Sequence, residues 1–259
     1  MSPTSHLGPL PPRPPTAALV IIGDEILTGK FRDDNGPWLI DRCRALGIDL
    51  RRISVIPDEV ETIGEEVAVC SRRFDWTFTS GGVGPTHDDV TMEGIARGLG
   101  RPVQRLPELE AVLRARLVER ITEDALRMAD APAGASLWWD GEIAFPQVVV
   151  ENIVILPGVP ALFRARFLAI AHRFGGTPSL SRRLVTTEAE SLIAGRLRLA
   201  QARWPQVAIG SYPRYEQRPY TVIVILDSRD EPALLACLDW LRDALSGQLL
   251  DEPDGSPGR

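Results

Sequence analysis

Three short stretches of the chain set acids beside glycine or proline, GDE at residues 23–25, PDEV at 57–60 and SGGVGPTHDDVT at 80–91, and a fourth, PGVP at 157–160, joins glycine to proline. Loop carboxylates can bind a cation, orient a water or cap a helix, and glycines let backbone amides come close to a phosphate. The third stretch combines these features. Gly81, Gly82 and Gly84 permit close approach, while Asp88 or Asp89 can cap the helix expected to begin there and leave amides free for a phosphate. Carboxylates beside a phosphate repel it unless a divalent cation lies between them, so this pattern implies Mg²⁺ or a relative. Plainer roles stay open at each position: Asp88 and Asp89 as helix caps, Asp24 and Glu25 as a solvated turn, Asp58 and Glu59 as first-turn acids, and PGVP as a strand-to-helix turn. His87 has no Asp, His or Cys partner at ligand spacing, which suits a supporting or stacking role better than catalysis. The chain shows no Ser-His-Asp order, no GxxxxGK[ST] loop and no zinc spacing.

Hydrophobic patterning predicts the elements that carry these loops. Ala17 to Gly23 is a continuous apolar run suited to a buried parallel strand, and Pro37 opens a helical pattern that Gly47 stops. The same order returns with a strand at 50–56 and a helix at 61–73, then a strand at 76–80 and a helix at 89–99. A helical stretch from 107 to about 127, a hairpin around Trp138 and Asp140–Gly141, a strand at 152–156 and a helix at 161–172 complete the set. Repeated βα units predict a three-layer αβα domain with a mostly parallel sheet, whose ligand edge lies at the carboxyl ends of the strands. All four acid and glycine stretches fall on that edge. Loop residues at Gly175–Ser179 mark a boundary, after which strand, helix, two strands and helix (βαββα) predict a small α+β domain at 180–248. That order invites comparison with RNA-binding KH modules, but no GxxG clamp occurs there.

Composition narrows the function classes. With 259 residues, 44% hydrophobic and 25% charged, the chain has the make-up of a globular protein, and its net charge of −6 gives no general attraction for nucleic acid or anionic lipid. Its longest apolar runs fall far short of the roughly 20 residues that cross a bilayer. Cys43, Cys70 and Cys237 are far apart and odd in number, as reduced core residues would be. Residues 1–16 are proline-rich and 251–259 polar, so both are expected to be disordered. Loss of the leader should then leave stability unchanged, and the absence of a signal-peptide pattern points to the cytoplasm.

GDEILTG, IPDE, GGVGPTHDDVT and LPGVP, in this order and spacing, resemble the MoaB/Mog molybdopterin-binding superfamily, and within it the amino-terminal domains of CinA and of eukaryotic FAD synthase. The resemblance runs from about Ala18 (residues 17–175) into the small domain, where IGSYPRY also looks like the CinA and FAD synthase versions. It implies catalytic aspartates at Asp58 and Asp89, with ligand or phosphate contacts at Gly23, Thr28, Gly81, Gly82, Gly84, Thr86, Pro157 and Gly158. It also implies a divalent metal (Mg, Mn or Co) on Asp24, Asp88 and Asp89, with potassium as a helper. In the adenylyltransferases of the superfamily, Arg commonly precedes the second aspartate. Asp88 stands there here, which turns the expectation toward the CinA and FAD synthase branch. The activity so implied is metal-dependent hydrolysis of a nucleotide diphosphate of the ADP-ribose or FAD class, releasing AMP. A non-catalytic pterin or nucleotide-binding module and a molybdopterin adenylyltransferase are the alternatives. The deamidase domain of CinA and the nucleotidyltransferase domain of FAD synthase have no counterpart in the sequence, so those activities are not expected. Partners are expected to be a small nucleotide or pterin and further copies of the chain in a dimer or trimer.

Overall fold

The computed structural model describes residues 13–118, 121–140, 145–215 and 221–245, together with the backbone of 249–250. They form two units, one ending at Thr177 and the other beginning at Pro178. In the first, β1 (Thr16–Ile22), β2 (Asp49–Ile56), β3 (Trp76–Ser80) and β8 (Ile153–Leu156) pair in parallel in the order β2-β1-β3-β8. β7 (Gln147–Val150) and β6 (Ser136–Trp138) extend the sheet antiparallel. The small pair β4 (Val103–Arg105) and β5 (Asp130–Pro132) stands apart.

Alternation along β1 explains the three layers. Ala17, Leu19 and Ile21 pack with α2 (Asn35–Leu46) and α7 (Pro160–Ile170), around Phe78, Phe163, Phe167 and Phe174. Ala18, Val20 and Ile22 face α3 (Val60–Arg73), α4 (Thr91–Gly98) and α5 (Pro107–Leu117) through Ile63, Val67, Ile95, Leu109 and Leu113. Helices α3 and α4 meet backbone to backbone: a Cβ on Gly98 would lie 2.3 Å from the Gly64 carbonyl oxygen, and one on Gly64 would lie 2.9 Å from that of Gly94. All three cysteines are free and buried, and burial pushes the Cys43 and Cys70 thiols up to about 12.

The structure adds the β4–β5 ladder and a strand at 249–250 that the patterning did not predict, and departs from it in four further places. The segment after β1 contains a single helical turn, α1 (Asp24–Leu27). Helix α4 begins at Thr91 rather than at Asp89, because the Asp89 carboxylate is spent on the loop. The stretch expected to be helical from 107 to 127 breaks after Leu117, where Val118 takes φ +43°. A new turn, α6 (Glu123–Leu126), restarts where the Thr122 hydroxyl accepts from the Ala125 amide at 3.1 Å. Finally, the end of the expected leader is held. Thr16 belongs to β1, its amide and hydroxyl donate to Asp75, Arg13 makes two 2.8 Å bonds to the same carboxylate, and the Asp49 amide donates to the Pro15 carbonyl. Residues 1–12 and 251–259 of the expected disordered ends lie outside the described residues.

In the second unit β10 (Ala208–Arg214), β11 (Thr221–Ser228), β9 (Leu180–Thr186) and β12 (Leu249–Leu250) form an antiparallel sheet. Alternate residues of β11, Val222, Val224 and Leu226, share a core with Ile193 and Ala200 of α8 (Glu190–Arg203) and with Leu234, Cys237 and Leu241 of α9 (Glu231–Ala244). Among the described residues no helix is long and apolar enough to cross a membrane.

Two stability effects follow. Gly98→Ala forces its new methyl into the Gly64 carbonyl and should cost about 1–3 kcal/mol. Gly195→Ala, in α8 with nothing within 4 Å, should gain about 0.5–1 kcal/mol, and denaturant titration reads both. The Arg13 guanidinium and then the Thr16 amide hold the Asp75 carboxyl down to about 2. A lowered acid pKa adds stability above the unfolded value near 4 that is lost as pH falls through the folded value. Asp75→Ala should therefore melt a few degrees lower than the parent at pH 7, with the gap closing as pH approaches about 2 in thermal scans.

Candidate functional site

β1 lies between β2 and β3, and the chain leaves it toward β2 but leaves β3 toward β8, so the loops after β1 and β3 part at a topological switch point. Backbone geometry closes this point. Gly81 has φ +112°, and a Cβ there would lie 2.1 Å from the Ile22 carbonyl oxygen. Gly82 has φ +62°, and a Cβ there would lie 2.3 Å from Thr91 Oγ1. From the other side Gly158 approaches so closely that a Cβ on it would sit 3.2 Å from the Gly81 Cα. Thr91, the first residue of α4, locks the loop: its amide donates to the Gly82 carbonyl (3.0 Å) and its hydroxyl to that of Gly81 (2.9 Å). Among the described residues the amides of Gly82, Val83 and Gly84 donate to no protein acceptor.

Asp58 stands between the first two loops. Its Oδ2 accepts the Asp24 amide at 2.8 Å, and its Oδ1 lies 3.4 Å from where a Gly82 Cβ would be. Burial pushes the Asp58 carboxyl above its ordinary value against the pull of that amide, and the charges of Glu25, Asp24 and Asp88 push it the same way. Asp24, Asp58, Asp88, Gly81, Gly82 and Gly158 are thus gathered at one edge. Gly23 contributes through its backbone, donating to the Ile56 carbonyl at 3.1 Å, and buried Pro157 leads into the exposed Gly158.

Asp89, Thr86 and Gly84 form an adjoining closed loop. Asp89 Oδ2 accepts the Thr86 amide at 2.9 Å and the Thr86 hydroxyl, and it would lie 2.6 Å from a Gly84 Cβ. The helix-cap role weighed for Asp89 is therefore replaced by a loop clasp. Arg127 steadies the clasp from outside, donating to the Thr86 carbonyl at 3.1 Å and pairing with Glu93 at 3.3 Å. Asp88 points to solvent, its carboxyl held below the usual range by hydrogen bonding within the loop, and exposed His87 stands 3.9 Å from it. The Thr28 hydroxyl donates to the Asp24 carbonyl at 2.7 Å and so ends α1.

Among the described residues no group of three or more His, Cys, Asp or Glu side chains is arranged to hold a metal ion, so Asp24, Asp88 and Asp89 do not form a cage. One or two carboxylates beside open amides fit instead a cation that arrives with a diphosphate, as Mg²⁺ commonly does. A groove of about 520 Å³ between α3 and α4, lined by Glu61, Glu65, Arg72 and Arg97 among others, shares no residue with the edge.

Sequence reasoning missed Asn35 and Arg127 and gave Thr91 no role. Asn35 is buried, and its Nδ2 donates to Ser80 Oγ (2.9 Å) and to the Gly158 carbonyl (2.7 Å). Its only sequence signal is its place in DDNGP, two residues before the helix-opening Pro37, where Asn passes for a turn residue.

Asp58→Asn keeps an oxygen for the Asp24 amide and removes a charge that the folded state disfavours, so its melting temperature at pH 7 should hold or rise by a few degrees. A raised acid pKa means that the folded state binds the proton more tightly than the unfolded one. This group's contribution to stability therefore grows as pH falls from above the raised value toward about 4. Thermal scans from neutral pH down toward about 4 should show that gain in the parent and its absence from the variant.

The chain matches the model of a "probable molybdopterin binding domain" over residues 18–175 and that of the "FAD synthase, middle domain" over 178–254. It is 32% identical over 93% of its length to a "probable FAD synthase" of Caenorhabditis elegans, and 30% identical over 93% of its length to a "CinA-like protein" of Mycolicibacterium gilvum. It spans 52% of the first relative and 62% of the second. A crystal structure of CinA from Thermoplasma acidophilum, described as of unknown function, superposes over 62% of this chain and 99% of its own with TM-score 0.57 at 27% identity. Matched over more than half its length, with the glycine loop and acids of the switch point inside the match, the chain belongs to the family of the probable molybdopterin-binding domain.

Proposed function

We propose that the chain is a hydrolase of nucleotide diphosphates of the ADP-ribose or FAD class, releasing AMP with the help of a divalent cation. The observation that carries this reading is Asp58: a carboxyl with a raised pKa, fixed by the Asp24 amide and set against a glycine loop whose amides of Gly82, Val83 and Gly84 take no protein acceptor. Such amides, beside the first turn of α4, suit a phosphate oxygen. Asp24, Glu25, Asp58, Asp88 and Asp89 around them would repel a bare diphosphate, so the substrate must bring its own countercharge. A cation, when bound, supplies neutralisation of the bridging phosphates, and Asp24 and Asp88 are the carboxylates with room to meet it. Asp58 orients the attacking water and takes its proton. A P–O bond forms to the water oxygen, the bridging P–O bond breaks, and the leaving phosphate departs with the electron pair. The kinship with proteins named FAD synthase and CinA-like supports the nucleotide class. Retention of the pocket for binding without turnover is the second reading, favoured by the lack, among the described residues, of a three-ligand metal cage.

The test is AMP release from ADP-ribose and from FAD with Co²⁺, Mn²⁺ or Mg²⁺, against chelator. Turnover is expected only with metal. Equal turnover in chelator overturns the cation's role, and no turnover with measurable nucleotide or pterin binding favours the binding module. Asp89→Asn still offers Oδ1 to the Thr86 amide, so the loop should stay closed, while turnover should fall about a hundredfold or more if the charge faces the transition state. Intact turnover in that variant removes Asp89 from the reaction.

A further inference from the structure

Asn35 is 3% exposed and stands at the start of α2, yet capping that helix does not need its side chain. The Asp33 carboxylate already accepts the amides of Asn35 (3.0 Å) and Gly36 (2.9 Å). The Asn35 side chain instead reaches across the carboxyl edge of the sheet, where Nδ2 gives one hydrogen to Ser80 Oγ at 2.9 Å and the other to the Gly158 carbonyl at 2.7 Å. A carbonyl oxygen can only accept, so this contact fixes which end of the amide faces the turn. The remaining atom, Oδ1, is buried with no hydrogen-bond partner. A leucine of similar volume would fill the space without leaving a buried acceptor unpaired, so packing alone does not account for the amide.

Its two partners lie on the two loops that matter. The ladder between β3 and β8 ends with the Gly81 amide on the Leu156 carbonyl at 3.2 Å. The Asn35 amide ties them once more, from the last residue of β3 to the turn after β8, where Gly158 comes closest to Gly81.

We propose that Asn35 is a positioning residue of the ligand edge: its side-chain amide pins the Pro157–Pro160 turn to the end of β3 and so sets the wall against which the substrate's phosphates rest. The inference takes its substrate from the function proposed above, while the pin itself is a property of the ligand-free protein. The experiment compares the parent with Asn35→Leu and Asn35→Ser by hydrogen exchange of the segment carrying the Gly158 and Val159 amides, by thermal scans, and by kinetics on whichever diphosphate the parent hydrolyses. In both variants exchange in that segment should quicken by about tenfold while the melting temperature moves by only a few degrees. KM should rise by about tenfold with a smaller change in kcat, whereas a merely structural residue would lower the active fraction, and with it kcat, at constant KM. Unchanged exchange in both variants, or a fall in kcat at constant KM, overturns the proposal. If the parent hydrolyses no diphosphate, the proposed function falls, and the exchange comparison still decides for or against the pin.

Discussion

Three backbones meet at the switch point with no side chain between them, and the rest of the site depends on that contact. The carbonyl of Ile22 occupies the space a Gly81 Cβ would need, and the Cα of Gly81 lies where a Cβ on Gly158 would crowd it. Positive φ at Gly81 and Gly82 lets the chain turn within that space, and Thr91 fixes the turn to the first residue of α4. Loops from three different strands are thereby brought within reach of one ligand. The stiffness comes from the sheet: β1, β3 and β8 are buried on both faces by the two side-chain layers, so the loop stems cannot drift.

Onto this frame the sequence places acids that repel one another. Asp58 carries most of the tension, being partly removed from water and facing the charges of Glu25, Asp24 and Asp88. Hydrogen bonds relieve part of it: the Asp24 amide serves Asp58, while the Thr86 amide and hydroxyl serve Asp89. Stability alone would not assemble such a set. Such an arrangement, costly by itself, suits the proposed substrate, a diphosphate that brings its own cation.

The two units are organised differently. The first has a sheet covered on both faces, with its loops gathered at one edge, whereas the second has an antiparallel sheet whose alternate residues share one core with two helices. Its βαββα order was readable from the apolar strand runs and the proline that opens the last helix, whereas the closing strand β12 was not; Asp230, whose carboxylate accepts the Ala233 amide at 3.0 Å, caps that helix. The IGSYPRY stretch, prominent in the sequence, supplies most of β10, an edge strand of that sheet, and Ser211 donates to Glu190 at 2.6 Å.

By itself the sequence determined the βα grammar, the main sheet of each unit and the clustering of Asp24, Asp58 and the glycine loop at one edge. Continuous apolar strands, helix periods and glycines are local properties written in neighbouring residues, and parallel βα units leave few ways to arrange them. Only the tertiary structure decided how the acids divide their work. Whether Asp89 caps a helix or clasps Thr86 depends on where α4 starts, and the bonds that Thr91 makes to the glycine loop mark that start. Asn35 read as a turn residue because its partners, Ser80 and Gly158, lie 45 and 123 positions away along the chain. Arg13 read as part of a loose leader because Asp75, which holds it, lies 62 positions away. A hydrogen bond between residues so far apart leaves no periodic trace in the sequence, and it becomes visible only when the strands between them have paired.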